Sequence, residues 1–254
     1  VYAGARREKR LSVQALLQTD PLVSCAQHAL DLCMRSPELR DECYAQLLKQ
    51  LHANPAPASA ARVLEMLRFA VATFPPSAPA MLQVLWQWLA QEGHWLEHQI
   101  LERTCARPSP RSRAPSVLEL MFLRERSPLI CRFALADGTQ KAVVVDSSTR
   151  MEAAYHSFCD RVDLAYGWRD LLQPVLVTPD GEDVEVPLAA LVADTLRNCE
   201  LVLEMSGAAL QPSFSFQVKV VLFVGLRRGV SCPLVARLLH HQLAADLRAG
   251  RLAP

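Results

Sequence analysis

Glycine is nearly absent from the first hundred residues of this 254-residue chain, where only Gly4 and Gly93 occur. Apolar residues in the same stretch recur at the three- and four-residue spacing of a helical face. Because proline ends helices and glycine weakens them, prolines grouped at intervals in such a stretch favour consecutive helices. The sequence therefore predicts an all-helical N-terminal domain, which we place over residues 1–106.

Capping residues and prolines predict where individual helices begin and end. Ser36-Pro37-Glu38 offers an N-cap, a proline whose missing N–H is harmless, and a carboxylate near the positive end of the helix dipole. This helix is predicted to end before Asn54-Pro55, and a second before Phe74-Pro75-Pro76-Ser77, with Ser77 capping a third. The predicted apolar faces comprise Leu39, Cys43, Leu47, Leu48 and Leu51; Val63, Leu64, Leu67 and Val71; and Met81, Leu82, Leu85, Trp86 and Leu89.

The segment from Arg107 to Pro115 is rich in proline, serine and arginine, and Ala114 is its one apolar residue. This composition is typical of an exposed connection. We predict a linker over residues 107–127.

After residue 128 the hydrophobic period changes from helical to alternating. Residues 129–135 alternate, Asp137-Gly138 predicts a tight turn, and residues 142–145 return as a second strand. Thr149 and Glu152 have the spacing of a capping box. The helix that follows is predicted to bury Met151, Tyr155, Phe158 and Val162.

Further strands are predicted at residues 175–178 and 184–186, around Asp180-Gly181, and last at residues 201–205. A hairpin, a helix and further strands in this order are typical of a ubiquitin-like β-grasp lobe, which we place over residues 128–206. A strand-like run over residues 214–224 follows. The chain closes with a helical pattern for which we predict no partner within this chain, at Leu234, Leu238, Leu239, Leu243 and Leu247. The expected fold class is α+β with several domains.

Charge and cysteine usage limit the classes of partner and compartment. Lys and Arg number 27 against 26 Asp and Glu, which gives no overall attraction to nucleic acid or to anionic membrane. No stretch approaches the ~20 apolar residues of a membrane span, and the basic residues 1–10 precede no signal-peptide core. The eight cysteines form no C-x-x-C pair and are expected to be small apolar core residues of a cytoplasmic protein.

One enzymatic pattern is present. His94, Glu97 and His98 fit the H-x-x-E-H spacing of inverted zinc peptidases, in which two imidazoles bind the metal and the carboxylate acts as a base. No third ligand stands out, and G-x-S-x-G, G-x-G-x-x-G and phosphate-loop motifs are absent from the sequence. We predict no catalytic residue, metal or cofactor, with a zinc metallopeptidase as a remote alternative.

Several sequence runs resemble two known domain families. Residues 38–50, read with Asn54-Pro55 and with Phe74-Pro75-Pro76-Ser77, resemble the myosin tail homology 4 domain. The hairpin at Asp137-Gly138, the helix after it and the second hairpin are similar to the ubiquitin-like first lobe of a FERM domain, and residues 241–252 resemble the opening helix of the second lobe. This tandem is typical of unconventional myosin tails, among which class fifteen is the most similar.

The chain departs from the family pattern in three places. The helices that usually open the domain are missing before Leu11, and Val63-Leu64 follows Arg62 where the family often has Gly-Trp. The chain ends at Pro254, so we expect residues 207–254 to hold only the start of the second FERM lobe.

The resemblance implies a non-catalytic, cargo-binding tail that acts in actin-rich protrusions such as microvilli and stereocilia. The expected partner is a protein cargo or adaptor, with actin reached only through a motor domain and no nucleic acid bound. Microtubules and phosphoinositide membranes are further candidates, and a membrane–cytoskeleton scaffold without a motor is the alternative function. By the same resemblance Lys49 is a candidate contact.

Basic residues around the predicted linker supply the other candidate contacts, because clustered guanidiniums attract acidic proteins and anionic lipids. They are Arg107, Arg111, Arg113, Arg124 and Arg126. A solvated, basic linker with no partner is the alternative interpretation. For Arg40, Asp41 and Glu42 we predict a structural role, in which charge-assisted hydrogen bonds hold neighbouring helices together.

Overall fold

The computed structural model describes residues 21–107, 109–177, 183–206, 214–220 and 232–250. The chain divides into two compact units, here called the helical unit (residues 1–128 with 193–212) and the sheet unit (residues 129–192 with 213–254). None of the helices in the described ranges combines the length and the apolar composition that a bilayer crossing requires.

Ten helices and five strands make up the described parts. The helices are α1 Pro21–Arg35, α2 Pro37–Leu51, α3 Pro57–Thr73, α4 Pro79–Gln91, α5 Trp95–Cys105, α6 Val117–Arg124, α7 Met151–Arg161, α8 Tyr166–Arg169, α9 Val192–Ser206 and α10 Pro233–Arg248. The strands are β1 Leu129–Leu135, β2 Gln140–Val145, β3 Leu172–Val177, β4 Asp183–Glu185 and β5 Phe214–Val220.

Helix boundaries in the helical unit follow the proline signals. The prolines that open α2, α3 and α4 occupy the first turn, where a missing N–H costs nothing. Ser36 caps α2 as predicted, accepting a hydrogen bond from the backbone N–H of Leu39. The prediction that Ser77 caps the next helix is wrong, because Ala78 is the N-cap residue and makes no side-chain bond there.

Helix α3 forms the centre of the helical unit. Residues 67–73 are buried on every side of the helix, and α3 contacts α1, α2, α5 and α6. Burying a side chain such as Leu67 or Val71 contributes roughly 1.5–3 kcal/mol, so packing rather than helix propensity holds α3 in place. The ring of Tyr44 on α2 is also fully buried, and its hydroxyl donates to the Phe74 carbonyl oxygen at 2.6 Å.

The sheet unit has the strand order β2-β1-β5-β3-β4, with β1 and β5 parallel and the other neighbours antiparallel. Phe133 on β1 lies between Phe158 of α7 and Phe216 of β5, at ring-centroid distances of 5.1 and 5.7 Å. A helix packed on a sheet with a hairpin at each edge and a parallel central pair is the β-grasp arrangement. The predicted α+β fold class, with a helical part before a ubiquitin-like sheet, is confirmed.

The last strand of the sheet differs from the prediction. Residues 201–205 form the end of helix α9, and β5 takes the predicted place of that strand in the sheet. The apolar residues of β5 alternate, with Phe216, Val218 and Val220 buried. The alternation of apolar and polar residues at 201–205 covers only five positions. The buried residues Leu196 and Cys199, which precede this segment, have the three-residue spacing of a helix.

The start of α7 also differs from the predicted capping box. Arg150 is the N-cap residue, and the hydroxyl of Thr149 bonds to the Asp146 carboxylate at 2.9 Å instead. The backbone N–H groups of Met151 and Glu152 donate to the carbonyl oxygens of Ala190 and Leu188. Backbone carbonyl groups of a neighbouring loop therefore accept the hydrogen bonds of the N–H groups at the start of α7. Asp180-Gly181, the second predicted turn, lies outside the described residues.

Helix α10 has a partner in this chain, contrary to the prediction. Val235 and Leu238 are buried, and the Gln242 side chain accepts from Val220 N at 2.8 Å and donates to Val220 O at 3.1 Å. Helix α10 therefore packs against the end of β5. The assignment of α10 to a second FERM lobe remains a prediction.

All eight cysteines are free thiols. Four of them, Cys33, Cys131, Cys159 and Cys199, are buried as predicted for core residues. Cys25 is exposed, which the prediction did not anticipate.

Candidate functional site

Arg40 and Asp41 on α2 connect three segments of the helical unit. Arg40 donates from Nε to the carbonyl oxygen of Cys33 at 2.9 Å and from Nη2 to that of Met34 at 2.8 Å, near the end of α1. Asp41 accepts from the backbone N–H groups of Ser77 and Ala78 at 2.7 and 3.0 Å. Asp41 therefore caps α4 from a different helix. The contacts support the predicted structural role for Arg40 and Asp41, whereas the hydrogen bond of Glu42 is to Gln46 on its own helix.

We expect the substitution Asp41→Ala to lower the free energy of unfolding by about 1–2 kcal/mol, the usual cost of losing a helix cap. The matched control is Glu42→Ala, because Glu42 is exposed and its hydrogen bond is to Gln46 on its own helix. Its expected cost is within about 0.5 kcal/mol. Urea denaturation followed by circular dichroism measures both, and equal costs would contradict the capping role.

Arg111 lies in a buried ion cluster rather than in an exposed linker. Its Nη1 and Nη2 donate to the two carboxylate oxygens of Glu119 at 2.6 and 2.9 Å, and its Nε donates to Asp194 Oδ1 at 3.1 Å. The prediction of an exposed segment at residues 107–115 is therefore wrong at its centre. Burial works to lower the pKa of Arg111, but the charges and hydrogen bonds of Glu119 and Asp194 raise it above its ordinary value.

Glu200 on α9 holds the start of α6. Its carboxylate accepts from the backbone N–H groups of Val117 and Leu118 at 2.9 and 3.0 Å, and no part of the residue is exposed. Arg197 adds a bond from Nη1 at 3.2 Å. Burial raises the pKa of Glu200, although the two N–H groups and Arg197 oppose the shift. Sequence reasoning missed this contact, because it treated α9 partly as a strand.

The raised pKa of Glu200 predicts a pH-dependent effect of Glu200→Gln. A carboxyl group whose folded-state pKa is raised contributes stability that is present below its ordinary value of 4.5 and is lost as the pH rises through the folded-state pKa. Glutamine carries no such titration. The unfolding free energy of Glu200→Gln should therefore increase relative to that of the native chain as the pH rises from about 4.5 to 7.

The control for this measurement is Glu204→Gln. Glu204 is one turn further along α9, is more exposed, and shares the partner Arg197. Urea denaturation at several pH values should show the trend for Glu200→Gln alone. A trend of the same size in the control would show that Arg197, rather than the burial of Glu200, sets the pH dependence.

The six predicted partner contacts differ in burial and in their partners within the structure. Arg111 is buried, Arg124 forms an ion pair with Glu65, and Arg107 is half-buried and donates to the Thr73 carbonyl oxygen at 2.7 Å. The remaining three, Lys49, Arg113 and Arg126, are exposed. The charge of Arg111 is thus paired with carboxylates inside the fold. A role of the others in binding a partner remains a prediction.

The zinc-peptidase pattern has a structural explanation. Glu97 is buried in an ion pair with Arg68 of α3, at 2.6 Å between Nη2 and Oε1. The ring of His94 stacks on Trp88 at a centroid distance of 5.2 Å. Among the residues that the structure describes, no three His, Cys, Asp or Glu side chains are grouped to hold a metal ion.

Comparison with known protein families addresses the helical unit directly. The family model described as "MyTH4 domain" matches residues 26–121, which include the Arg40-Asp41 contacts, Arg68, Glu97 and Arg111. Residues 26–121 therefore match a MyTH4 domain. This match confirms the predicted resemblance to the myosin tail homology 4 domain, and it runs past the predicted domain end at residue 106.

Several relatives with similar sequences are myosin heavy chains. The chain is 26% identical over 196 residues to the myosin-I heavy chain of Dictyostelium discoideum, which covers 73% of this chain and 8% of the relative. It is 31% identical over 132 residues to myosin-VIIa of Drosophila melanogaster, covering 50% of this chain and 6% of the relative. The chain therefore spans less than a tenth of the length of the curated relatives it matches.

Solved structures extend the similarity beyond the MyTH4 domain. The MyTH4-FERM MF1 domain of Dictyostelium discoideum myosin VII superimposes with a TM-score of 0.72 and 23% identity, over 91% of this chain and 49% of that one. The human myosin 7b C-terminal MyTH4-FERM domain, solved in complex with the harmonin-a PDZ3 domain, gives 0.67 and 18%, over 89% and 45%. At these identities the likeness shows the fold.

The contacts of the MyTH4 domain reach beyond its matched range. Asp194 and Glu200 lie more than seventy residues after residue 121, yet they bind Arg111 and the start of α6. Helix α9 therefore completes the buried polar core of the MyTH4 domain in this chain.

Proposed function

We propose that this chain is a non-catalytic, cargo-binding tail module of an unconventional myosin. The observation that carries the proposal is the succession of a MyTH4 domain and a β-grasp sheet, in the order found in solved MyTH4-FERM domains. Myosin heavy chains among its relatives support the assignment to a motor protein. We further propose class fifteen as its class, on the sequence runs alone.

The FERM part of the proposal keeps residues 128–206 as the core of the first lobe and residues 207–254 as the start of the second. There are two exceptions. Strand β5 completes the sheet of the first lobe, and residues 193–206 of helix α9 belong to the helical unit. We propose cytoplasmic, cytoskeleton-associated localisation in actin-rich protrusions, with actin reached only through a motor domain.

A protein cargo or adaptor is the partner that this proposal favours. Support comes from the human myosin 7b tandem, whose structure was solved with the harmonin-a PDZ3 domain bound. A tandem of the same fold thus engages a folded protein module. No nucleic acid is expected, because the charges of this chain balance at 27 basic against 26 acidic residues.

The absence of catalysis belongs to the same proposal. The carboxylate of Glu97, which a zinc peptidase would use as its base, is paired with Arg68. Elemental analysis of the purified chain should give a zinc content close to zero, whereas a peptidase of this type carries about one zinc per chain. A stoichiometric metal with peptide cleavage would overturn the proposal.

Affinity capture tests the partner class. The chain, immobilised on beads, is incubated with lysate of epithelial cells that bear microvilli, and captured proteins are compared with those on Asp41→Ala beads, in which the MyTH4 domain is weakened. Each captured protein is then purified and tested for direct binding. Retention of a cytoskeletal or membrane adaptor that binds directly supports the proposal, and capture of chaperones alone contradicts it.

A membrane–cytoskeleton scaffold is the second candidate. The exposed cations Lys49, Arg113 and Arg126 favour it, since each can reach an anionic surface. Liposomes with and without phosphoinositide are sedimented with the chain and with the Arg113→Gln/Arg126→Gln variant. An affinity for liposomes that changes neither with lipid charge, nor with salt, nor with the two substitutions would exclude this function.

A further inference from the structure

Strand β2 forms one edge of the sheet, because it pairs with β1 on one side and stands first in the strand order. Among the residues that the structure describes, no strand pairs with its other side. The antiparallel register places Lys141 opposite Phe133 and Val145 opposite Leu129. An edge strand presents a row of backbone N–H and C=O groups to which an extended segment can add.

The turn between β1 and β2 determines which backbone groups of β2 point outward. The Leu135 N–H donates to the Thr139 carbonyl oxygen at 2.8 Å, so these two residues form a hydrogen-bonded pair. Such pairs alternate along an antiparallel ladder. The residues whose backbone groups point away from β1 are therefore Gln140, Ala142 and Val144. In agreement, Arg161 at the end of α7 donates to the Ala142 carbonyl oxygen, which keeps a second lone pair for a partner strand.

The side chains along this edge are basic. Lys141 on β2, Arg161 on α7 and Arg132 on the neighbouring strand β1 are all exposed. None of these three cations forms an ion pair with a residue that the structure describes. Asp160, which precedes Arg161, is paired with Arg169 instead. Uncompensated positive charge therefore lies beside the outward backbone groups of β2.

The charges of this edge decide which kind of strand can pair with it. Cations on an edge strand prevent pairing with a strand of like charge. A second copy of β2 would bring the same cations opposite the first set, which disfavours a dimer through this edge. The acidic strand β4 of a second copy is only three residues long, and its Asp183 is already paired with Lys219. An acidic segment from another protein is therefore favoured.

We propose that the β2 edge binds an extended, acidic segment of a protein partner, which adds to the sheet as an antiparallel strand. Its backbone bonds to the outward groups of Ala142 and Val144. Its carboxylates lie opposite Lys141, on the face of the sheet that α7 covers, and contact Lys141 and Arg161. Its alternate residues lie on the other face, where the Val144 side chain is 61% exposed and favours an apolar neighbour.

The source of the segment rests on the proposed function. For a module that holds a protein cargo or adaptor, an extended acidic stretch of that partner supplies the strand. Main-chain hydrogen bonds then provide affinity, and the alternation of acidic and apolar side chains provides specificity.

The test is an NMR titration of the ¹⁵N-labelled chain with two end-blocked, six-residue peptides. One peptide alternates valine with glutamate, and the other alternates valine with glutamine. We expect the glutamate peptide to bind saturably and to slow amide hydrogen exchange at Ala142 and Val144, whose N–H groups point outward. Exchange at Val143 should change little, because its N–H group faces β1. The glutamine peptide should bind about three-fold more weakly or less tightly still.

N-methylated forms of the glutamate peptide separate strand addition from charge attraction. Successive N–H groups of a strand point to opposite sides, and in the proposed geometry those of the valines face β2. Methylating the valine nitrogens should abolish binding, whereas methylating the glutamate nitrogens should change the affinity by less than about two-fold. The two methylated peptides carry the same charge. Equal or reversed effects of the two methylations would overturn the proposal.

Variants of the chain test the edge from the other side. Ala142→Pro removes an outward N–H group, and an edge strand tolerates proline where that group faces solvent. This variant should bind the glutamate peptide about ten-fold more weakly or worse. Lys141→Gln should weaken the same binding about three-fold and leave the affinity for the glutamine peptide unchanged. The control Arg62→Gln removes an equal charge from an exposed site on α3, and should change affinity by less than about two-fold.

Lys141→Gln and the methylated peptides keep the test valid if circular dichroism shows that Ala142→Pro does not fold. Equal losses in Lys141→Gln and Arg62→Gln, or unchanged binding by a folded Ala142→Pro chain, would overturn the proposal. So would self-association of the native chain that Ala142→Pro abolishes, because a second copy would then occupy the edge. Equal capture of an adaptor by the native chain and by folded Ala142→Pro would refute the edge site while leaving the proposed function intact.

Discussion

Replacing Arg111 with alanine is expected to lower the free energy of unfolding by about 3–5 kcal/mol, the cost of breaking a buried ion pair from one side. The guanidinium has no exposed surface and makes three hydrogen bonds, two to Glu119 and one to Asp194. Without it, two buried carboxylates lose their positive partner. Urea denaturation measures the loss.

The control for this substitution is Arg113→Ala. Arg113 lies two residues away, is exposed, and donates one hydrogen bond to Asn198 at 3.1 Å. Its loss should cost no more than about 1 kcal/mol. Similar losses in the two variants would show that the segment is an exposed linker after all.

Replacing Arg68 with methionine is expected to have the second largest effect, again about 3–5 kcal/mol. Arg68 pairs with buried Glu97 and also donates from Nη1 to the Leu123 carbonyl oxygen at 3.3 Å. Methionine fills much of the space but leaves the Glu97 carboxylate buried and unpaired. Thermal and urea unfolding of the variant measure the effect.

Arg62→Met is the matched control, because Arg62 lies on the same helix and is exposed. The expected change is within about 0.5 kcal/mol. If Arg68→Met were as mild as this control, the Arg68–Glu97 pair would not hold α3 to α5. Glu97 would then be free for other chemistry.

Features encoded by neighbouring residues were predictable from the sequence. The start of α2 at Pro37, the end of α3 before Pro75 and the turn at Gly138 follow from capping, proline geometry and a positive φ of 87°. The alternation in β1 gave the buried face of the first strand, with Phe133 at its centre. These signals depend on residues that are a few positions apart, so they can be recognised in a single sequence.

Contacts between residues that are distant in sequence were not predictable. Arg111 and Asp194 are 83 positions apart, and a segment rich in proline, serine and arginine has the composition of a solvated loop. Asp41 replaces Ser77 as the cap of α4 from 37 positions away. In each case a hydrogen bond between residues distant in sequence overrides the local preference, and a pattern of neighbouring residues does not contain such a bond.

Whether the chain binds proteins is tested most directly by isothermal titration calorimetry of the purified chain with a purified protein from the affinity capture. We predict saturable binding at one site, with a dissociation constant in the micromolar range or tighter. Absence of heat and of saturation with every captured protein, from a chain whose circular dichroism shows it to be folded, would contradict a protein-binding function.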